Sequence, residues 1–186
     1  MEDIEKATES PLRKGHSEEL IDHYWGSINY VFNLIKSSEI KAGLILSFYG
    51  ILLNFIFQNI GMVFTKASEN FPLYILLGAW FCSTVASIYF SIRCFIPKME
   101  TKYDKNIFFF KDVVTKFGSI KEFSKTFYRI SLDEEELFDQ LGQQIFIISK
   151  IAAMKFRSVK TSLKLLALGL LFLLLVVVYY LFLTFL

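Results

Sequence analysis

Sorted into apolar and polar positions, the chain shows three long apolar runs, Ala42 to Phe64, Phe71 to Ile96 and Leu165 to Leu186, with amphipathic stretches before and between them. An α-helix needs about 20 apolar residues to cross a bilayer core, and each run meets that length. None contains Asp, Glu or Lys, and Arg93 is their one charge. The pattern predicts transmembrane helices over 42–64, 71–96 and 163–186.

The stretches outside these runs change period. Residues 1–16 carry charge, Pro11 and Gly15 without an apolar repeat, so a mobile tail is expected there. From Ser17 to Lys41, Leu20, Tyr24, Ile28, Val31 and Ile35 recur every three or four positions, which predicts an amphipathic arm helix running into the first span. At 1.5 Å per residue such an arm is about 36 Å long. The region 97–162 opens with the polar linker KMETKYDKN and the run IFFF at Ile107 to Phe110. Ser119 with Glu122 has the spacing of a capping box and opens a short helix carrying Phe123, Phe127 and Tyr128, read as an aromatic lid. Ser131 with Glu134 has the same spacing and predicts the start of a second arm. Its stripe is Leu137, Leu141, Ile145, Ile148, Ala152, Phe156, Val159 and Leu163, and its length about 45 Å. The expected fold is therefore all-α: three transmembrane helices, the first and third extended into a cytoplasmic helical bundle.

Composition agrees with a membrane domain. Of 186 residues 54% are hydrophobic and 17% aromatic, with 21 Phe and 3 Pro. Of 20 Lys and Arg, only Lys66 falls between the first two spans, whereas Lys36, Lys41, Arg93, Lys98, Lys102, Lys105, Lys150, Lys155, Arg157, Lys160 and Lys164 flank the other sides. The positive-inside rule then places the N-terminus and 97–162 in the cytoplasm, the Thr65 to Asn70 loop outside and the C-terminus at the outer face. The acidic opening MEDIEKATES lacks the basic and short apolar regions of a cleaved signal, so the first span is expected in the mature protein. A net charge of +2 does not suggest a nucleic-acid partner. Cys82 and Cys94 sit on one helix about 18 Å apart, too far for a mutual disulfide or shared metal.

Within the first span Ser47, Gly50, Asn54, Gln58 and Gly61 share one helical face. Amides facing lipid are costly, so this face should meet another helix or water, either as packing or as the lining of a path opened by assembly. Ala79, Ser83, Ser87 and Ser91 form a ladder of small residues at four-residue spacing, suited to close helix approach. Arg93 can snorkel to the cytoplasmic face. Support for catalysis is slight: His16 and His23 align on one face without a third ligand, and DEEELFD reads as the solvated, dipole-matching first turns of a helix. No phosphate loop, HExxH or assignable nucleophile and base is present, so no enzyme and no cofactor is expected.

Three motifs in order carry a resemblance. NLIKSSEIKAG at Asn33 to Gly43, IFFFKDVV from Ile107, and QQIFIISKIAAMKFRSVKTSL before the last span together resemble the Pycsar transmembrane effector family, over roughly residues 20–175. Lys41, Ala42, Lys155 and Phe156 match the family's pattern, while Glu39 replaces its usual Asp and Lys111-Asp112 its usual Gly-Asp.

The resemblance implies an anti-phage effector of the bacterial inner membrane. A companion cyclase would supply cyclic CMP or cyclic UMP, the membrane would lose integrity, and the infected cell would arrest or die. A homo-oligomer in the lipid bilayer is expected. A cyclic phosphate wants cations and an aromatic face. Lys36, Lys41, Lys155 and Arg157 with Phe156 or Phe110 are the available set, and Glu39 is expected to pair with Lys41 in the empty site or to bond a sugar or base in the filled one. A constitutive channel or a membrane scaffold without nucleotide control are the alternatives.

Overall fold

The computed structural model describes residues 2–58, 60–61, 70–96 and 105–185, with side chains from His16 to Phe182. The loop 65–70, apart from Asn70, and most of the KMETKYDKN linker lie outside them. The described backbone is all-α, without strands. It comprises α1 (Glu2–Gln58), α2 (Phe71–Phe95), α3 (Phe110–Thr115), α4 (Ile120–Leu132) and α5 (Glu134–Phe185). α1, α2 and α5 are each long and apolar enough to cross a membrane. α1 carries helical backbone from Glu2, so the stretch expected as a tail is assigned to it.

Two compact units share α1 and α5. The first comprises 1–34 and 99–152, the second 35–98 and 153–186. In the first, Ile28 and Val31 of α1 are buried, as are Leu141, Ile148 and Ala152 of α5, following the expected stripes. Tyr24 stacks against Phe138, with ring centroids 5.4 Å apart. The aromatic lid is a chain of rings: Phe117 to Phe123, Phe123 to Phe127, Phe127 to Phe108, and Phe108 to Trp25, each between 5.1 and 6.0 Å. Tyr128, expected in that lid, points outward and is 67% exposed.

A buried polar network fixes the non-helical segment before α3. Asn106 donates from Nδ2 to the Gln140 carbonyl at 2.7 Å and accepts from the Phe108 N–H at 2.9 Å. Gln140 Oε1 accepts from the Ile107 N–H at 3.1 Å, and Asp112 accepts from the Asn106 N–H at 3.2 Å. The segment has no helix or strand to satisfy its amides, so three polar side chains do so instead.

The helix caps correct one expectation. Ser119 does accept from the Glu122 N–H, at 3.2 Å, while the Glu122 carboxylate reaches back to Gly118 N–H at 3.0 Å. Ser131, however, closes the last turn of α4 and donates to the Phe127 carbonyl, and Asp133 caps α5 by accepting from the Glu136 N–H at 3.1 Å. Both Ser131-Glu134 and Asp133-Glu136 have cap spacing. Ser and Asp are about equally good N-caps, and Asp133, the one nearer the apolar run, takes the position. The acids that follow are more than a solvated face. Glu136 receives both guanidinium nitrogens of Arg129, at 2.6 and 2.9 Å, and Glu134 accepts from the Ser17 hydroxyl.

Candidate functional site

The second unit is a three-helix assembly whose contact layers are built from small residues. α1 contributes Ser38, Ala42, Ile45 and Tyr49, α2 contributes Ser83, Thr84, Ser87, Ser91 and Cys94, and α5 contributes Lys155, Val159 and Ser162, all buried. Ala42, Cys94 and Val159, one from each helix, form a common core cluster. Side chains this small let the helix backbones come close.

Of the expected small ladder, Ser83, Ser87 and Ser91 are used inside the chain, against α5; Ala79 is half-buried. Ser83 donates to the Leu165 carbonyl at 2.8 Å. The Ser87 and Ser91 hydroxyls lie 3.0 and 2.7 Å from that of Ser162, which is also placed to donate to the Ser87 carbonyl at 2.8 Å. A Cβ at Gly169 would stand 3.5 Å from Ser83 Oγ, in ordinary van der Waals contact, so Gly169 lies against the α2 ladder and an alanine would fit there as well. Asn54 and Gln58 behave differently: both are exposed.

At the other end of these helices sits a lysine that the sequence marks as surface charge and the fold buries. Lys155 is 4% exposed. Its ammonium donates to Glu39 Oε1 at 2.6 Å and to the Cys94 carbonyl at 2.8 Å. Cys94 lies in the last turn of α2, where carbonyls have no intrahelical donor and the helix dipole is negative, so a cation is the natural cap. One ammonium thereby links α1, α2 and α5.

This pairing replaces the expected Glu39 to Lys41 contact. Residues two apart on a helix point in directions about 200° apart and cannot face each other. Lys41 instead stands over the Phe156 ring, 5.9 Å from its centroid, at the outer limit of cation–π attraction. Lys36 and Arg157 are exposed, and Phe156 is 36% exposed. Lys155, Glu39, Lys41 and Phe156 are thus brought together in the second unit, while Phe110 opens α3 in the first and is 80% exposed.

The α5 stripe shifts accordingly. Phe156 and Leu163 were expected inside, yet Lys155 and Ser162 take those places. Heptad spacing permits either order of three- and four-residue steps after Ala152. The partners decide: Glu39 and the Cys94 carbonyl satisfy an ammonium, and the serines of α2 satisfy a hydroxyl. The position of Ser162, seven residues after Lys155, was the available sequence signal.

A family model described as the Pycsar effector protein domain matches residues 23–182. The Pycsar effector protein SaPycTM of Staphylococcus aureus is 28% identical over 144 residues, which cover 76% of this chain and 84% of that relative. No solved structure matches. The matched region takes in most of all three apolar helices, the aromatic unit and the Lys155 link, and on that ground the chain belongs to the Pycsar effector family, membrane proteins of anti-phage defence.

Proposed function

We propose that this protein senses a cyclic pyrimidine nucleotide, cyclic CMP or cyclic UMP, at the cytoplasmic face of the bacterial inner membrane and responds by breaching that membrane, arresting or killing the infected cell. The role is non-catalytic and the nucleotide comes from a companion cyclase. The observation that carries the reading is the Lys155 link. A cyclic phosphate has one negative charge and can replace Glu39 as the partner of Lys155, with Lys41, Lys36 and Arg157 as further cations and Phe156 as a face for the base. Because the same ammonium holds α1, α2 and α5, exchanging its partner bears on all three spans. A ligand preferring the opened arrangement by a few kcal/mol shifts the population toward it. The expected orientation follows the lysine and arginine distribution: N-terminus and the 97–162 region inside, C-terminus at the outer face.

The test is leakage from dye-loaded liposomes containing the purified protein, challenged with a panel of cyclic mono- and dinucleotides. Release with one cyclic pyrimidine nucleotide alone is expected. Lys41→Ala and Lys155→Ala should abolish it while still inserting. Release without any nucleotide would replace this reading with the constitutive channel, which the exposed amides of Asn54 and Gln58 favour; no release under any condition would leave a scaffold.

A further inference from the structure

We propose that the α1 face bearing Ser47, Gly50, Asn54 and Gln58 is the surface through which copies of this chain associate within the membrane. The inference rests on the three-span placement and not on nucleotide control.

At 100° per residue these four positions fall in a band about 80° wide. Ala42, Ile45 and Tyr49, the buried face of the same helix, lie roughly 150° away. The band therefore points away from α2 and α5, and all four residues are exposed. Neither amide has a hydrogen-bond partner among the described residues. Asn54 lies about 18 Å along the helix from Ala42, near the middle of a ~30 Å hydrocarbon core. Left against lipid, its donors and acceptor would be unmet where no water reaches.

Among the described residues nothing is placed to meet them. The polar ladder of α2 is consumed by Ser162, Leu165 and Gly169 of α5. Gly50 adds an independent sign, because a Cβ there would have open space, so packing within the chain does not require a glycine at that point. A small residue whose own fold leaves it room suits the approach of an outside helix.

A second copy is the occupant that fits. A primary amide has two donors and a carbonyl acceptor and is its own hydrogen-bond complement, so the same face on another α1 satisfies both Asn54 and Gln58. Ser47 and Gly50 allow that helix to come near.

The experiment dilutes the full chain in lipid nanodiscs or mild detergent, without nucleotide, and follows its mass. A stable oligomer is expected for the native sequence. Asn54→Leu with Gln58→Leu should raise its dissociation constant about tenfold, since it removes the interhelical amide hydrogen bonds. Helix content and membrane insertion serve as controls, as leucine suits both helix and lipid. A native monomer, or an oligomer unaffected by the double substitution, would overturn the assignment. An unaffected oligomer with altered ion conductance would give the amides to a water-filled path instead. Because mass is read without nucleotide, a failed liposome experiment leaves this result standing, and the reverse.

Discussion

In the first unit, side-chain amides and carboxylates satisfy the backbone of a non-helical segment, and aromatic rings close over it. In the second, the helix-to-helix polar contacts at the interfaces are made by serine hydroxyls and one lysine, over a core as small as Ala42, Cys94 and Val159. The difference follows from what surrounds each. A segment like 105–109 must have its N–H groups met by something, and long amides reach it. Spans already satisfy their own backbones, so what remains is close approach, which small residues provide and hydroxyls accompany without adding bulk. The exception is Lys155, a full charge where the rest of the unit uses weak dipoles.

That exception gives the largest expected effect. Glu39→Ala leaves the Lys155 ammonium buried with only the Cys94 carbonyl, and should cost on the order of 3 kcal/mol, the low end for a broken buried pair because the Glu39 side chain is itself 40% exposed. Lys155→Met should cost less, about 1 kcal/mol, since it leaves a carboxylate that water can reach and a side chain of similar length. Unfolding in detergent followed by circular dichroism measures both. Equal losses would mean that the link is symmetric and that burial of the lysine is not what makes it costly.

In the first unit the comparable break is Asn106→Leu. The Gln140 carbonyl and the Phe108 N–H both lose a buried partner, and a loss of about 1–3 kcal/mol is expected. Faster hydrogen exchange at Phe108 would show that the segment before α3 opens. Exchange as slow as in the native protein would assign the segment's order to its aromatic neighbours instead.

Ser162 tests the hydroxyl rule of the second unit. Ser162→Ala keeps the close approach but removes the hub of Ser87 and Ser91, and should cost about 0.6–1.7 kcal/mol, from the average to the largest interhelical hydrogen bond measured within membranes. Ser162→Leu should cost more, because it forces apart backbones that small residues had let meet. Thermal unfolding of the two variants separates the two contributions, and a leucine variant no worse than the alanine would show that the layer is loose.

How much of this was legible in the sequence depends on the range of the partner. The second span, expected at 71–96, is α2 at Phe71–Phe95, because apolar length is a local property. The buried positions Ile28, Val31, Leu141, Ile148 and Ala152 followed from periodicity in the same way. Ser119 and Glu122 announced their cap because the whole motif lies within four residues. Lys155 did not announce its burial. A lysine at a span end is ordinarily topology signal, and only Glu39 and the Cys94 carbonyl, distant in sequence, make its interior position tolerable. Ser162 and Asn106 were hidden for the same reason, each being meaningful through an atom on another element. The small stripe of α2 and that of α1 looked alike, and only the fold shows that the first is used within the chain.

The smallest effect concerns a pairing at the surface of the first unit. Glu122 accepts from Lys105 Nζ at 2.5 Å and from the Gly118 N–H, and the Lys105 hydrogen bond, ahead of the Gly118 one, holds its carboxyl below the usual carboxylate range. A depressed folded-state pKa means that the carboxylate stabilises the fold above its unfolded value of about 4.5, and that this contribution disappears as pH falls through the lower folded value. Glu122→Gln should therefore be slightly less stable than the native chain at neutral pH and should converge with it as pH falls through the lowered folded-state value. The amide can still accept from Gly118, so what disappears is chiefly the charge opposite Lys105, whose ammonium also stands 3.9 Å over the Phe117 ring. The exposure of the pair, 36% for Lys105 and 46% for Glu122, keeps the difference small, and added salt should shrink it further, unlike the Glu39 to Lys155 pair, where burial limits screening. Paired melting curves at low and high ionic strength at neutral pH, repeated stepwise into acid, measure it. A gap between the two proteins that persisted undiminished in acid would show that the glutamate acts through the shape of its cap and not through its charge.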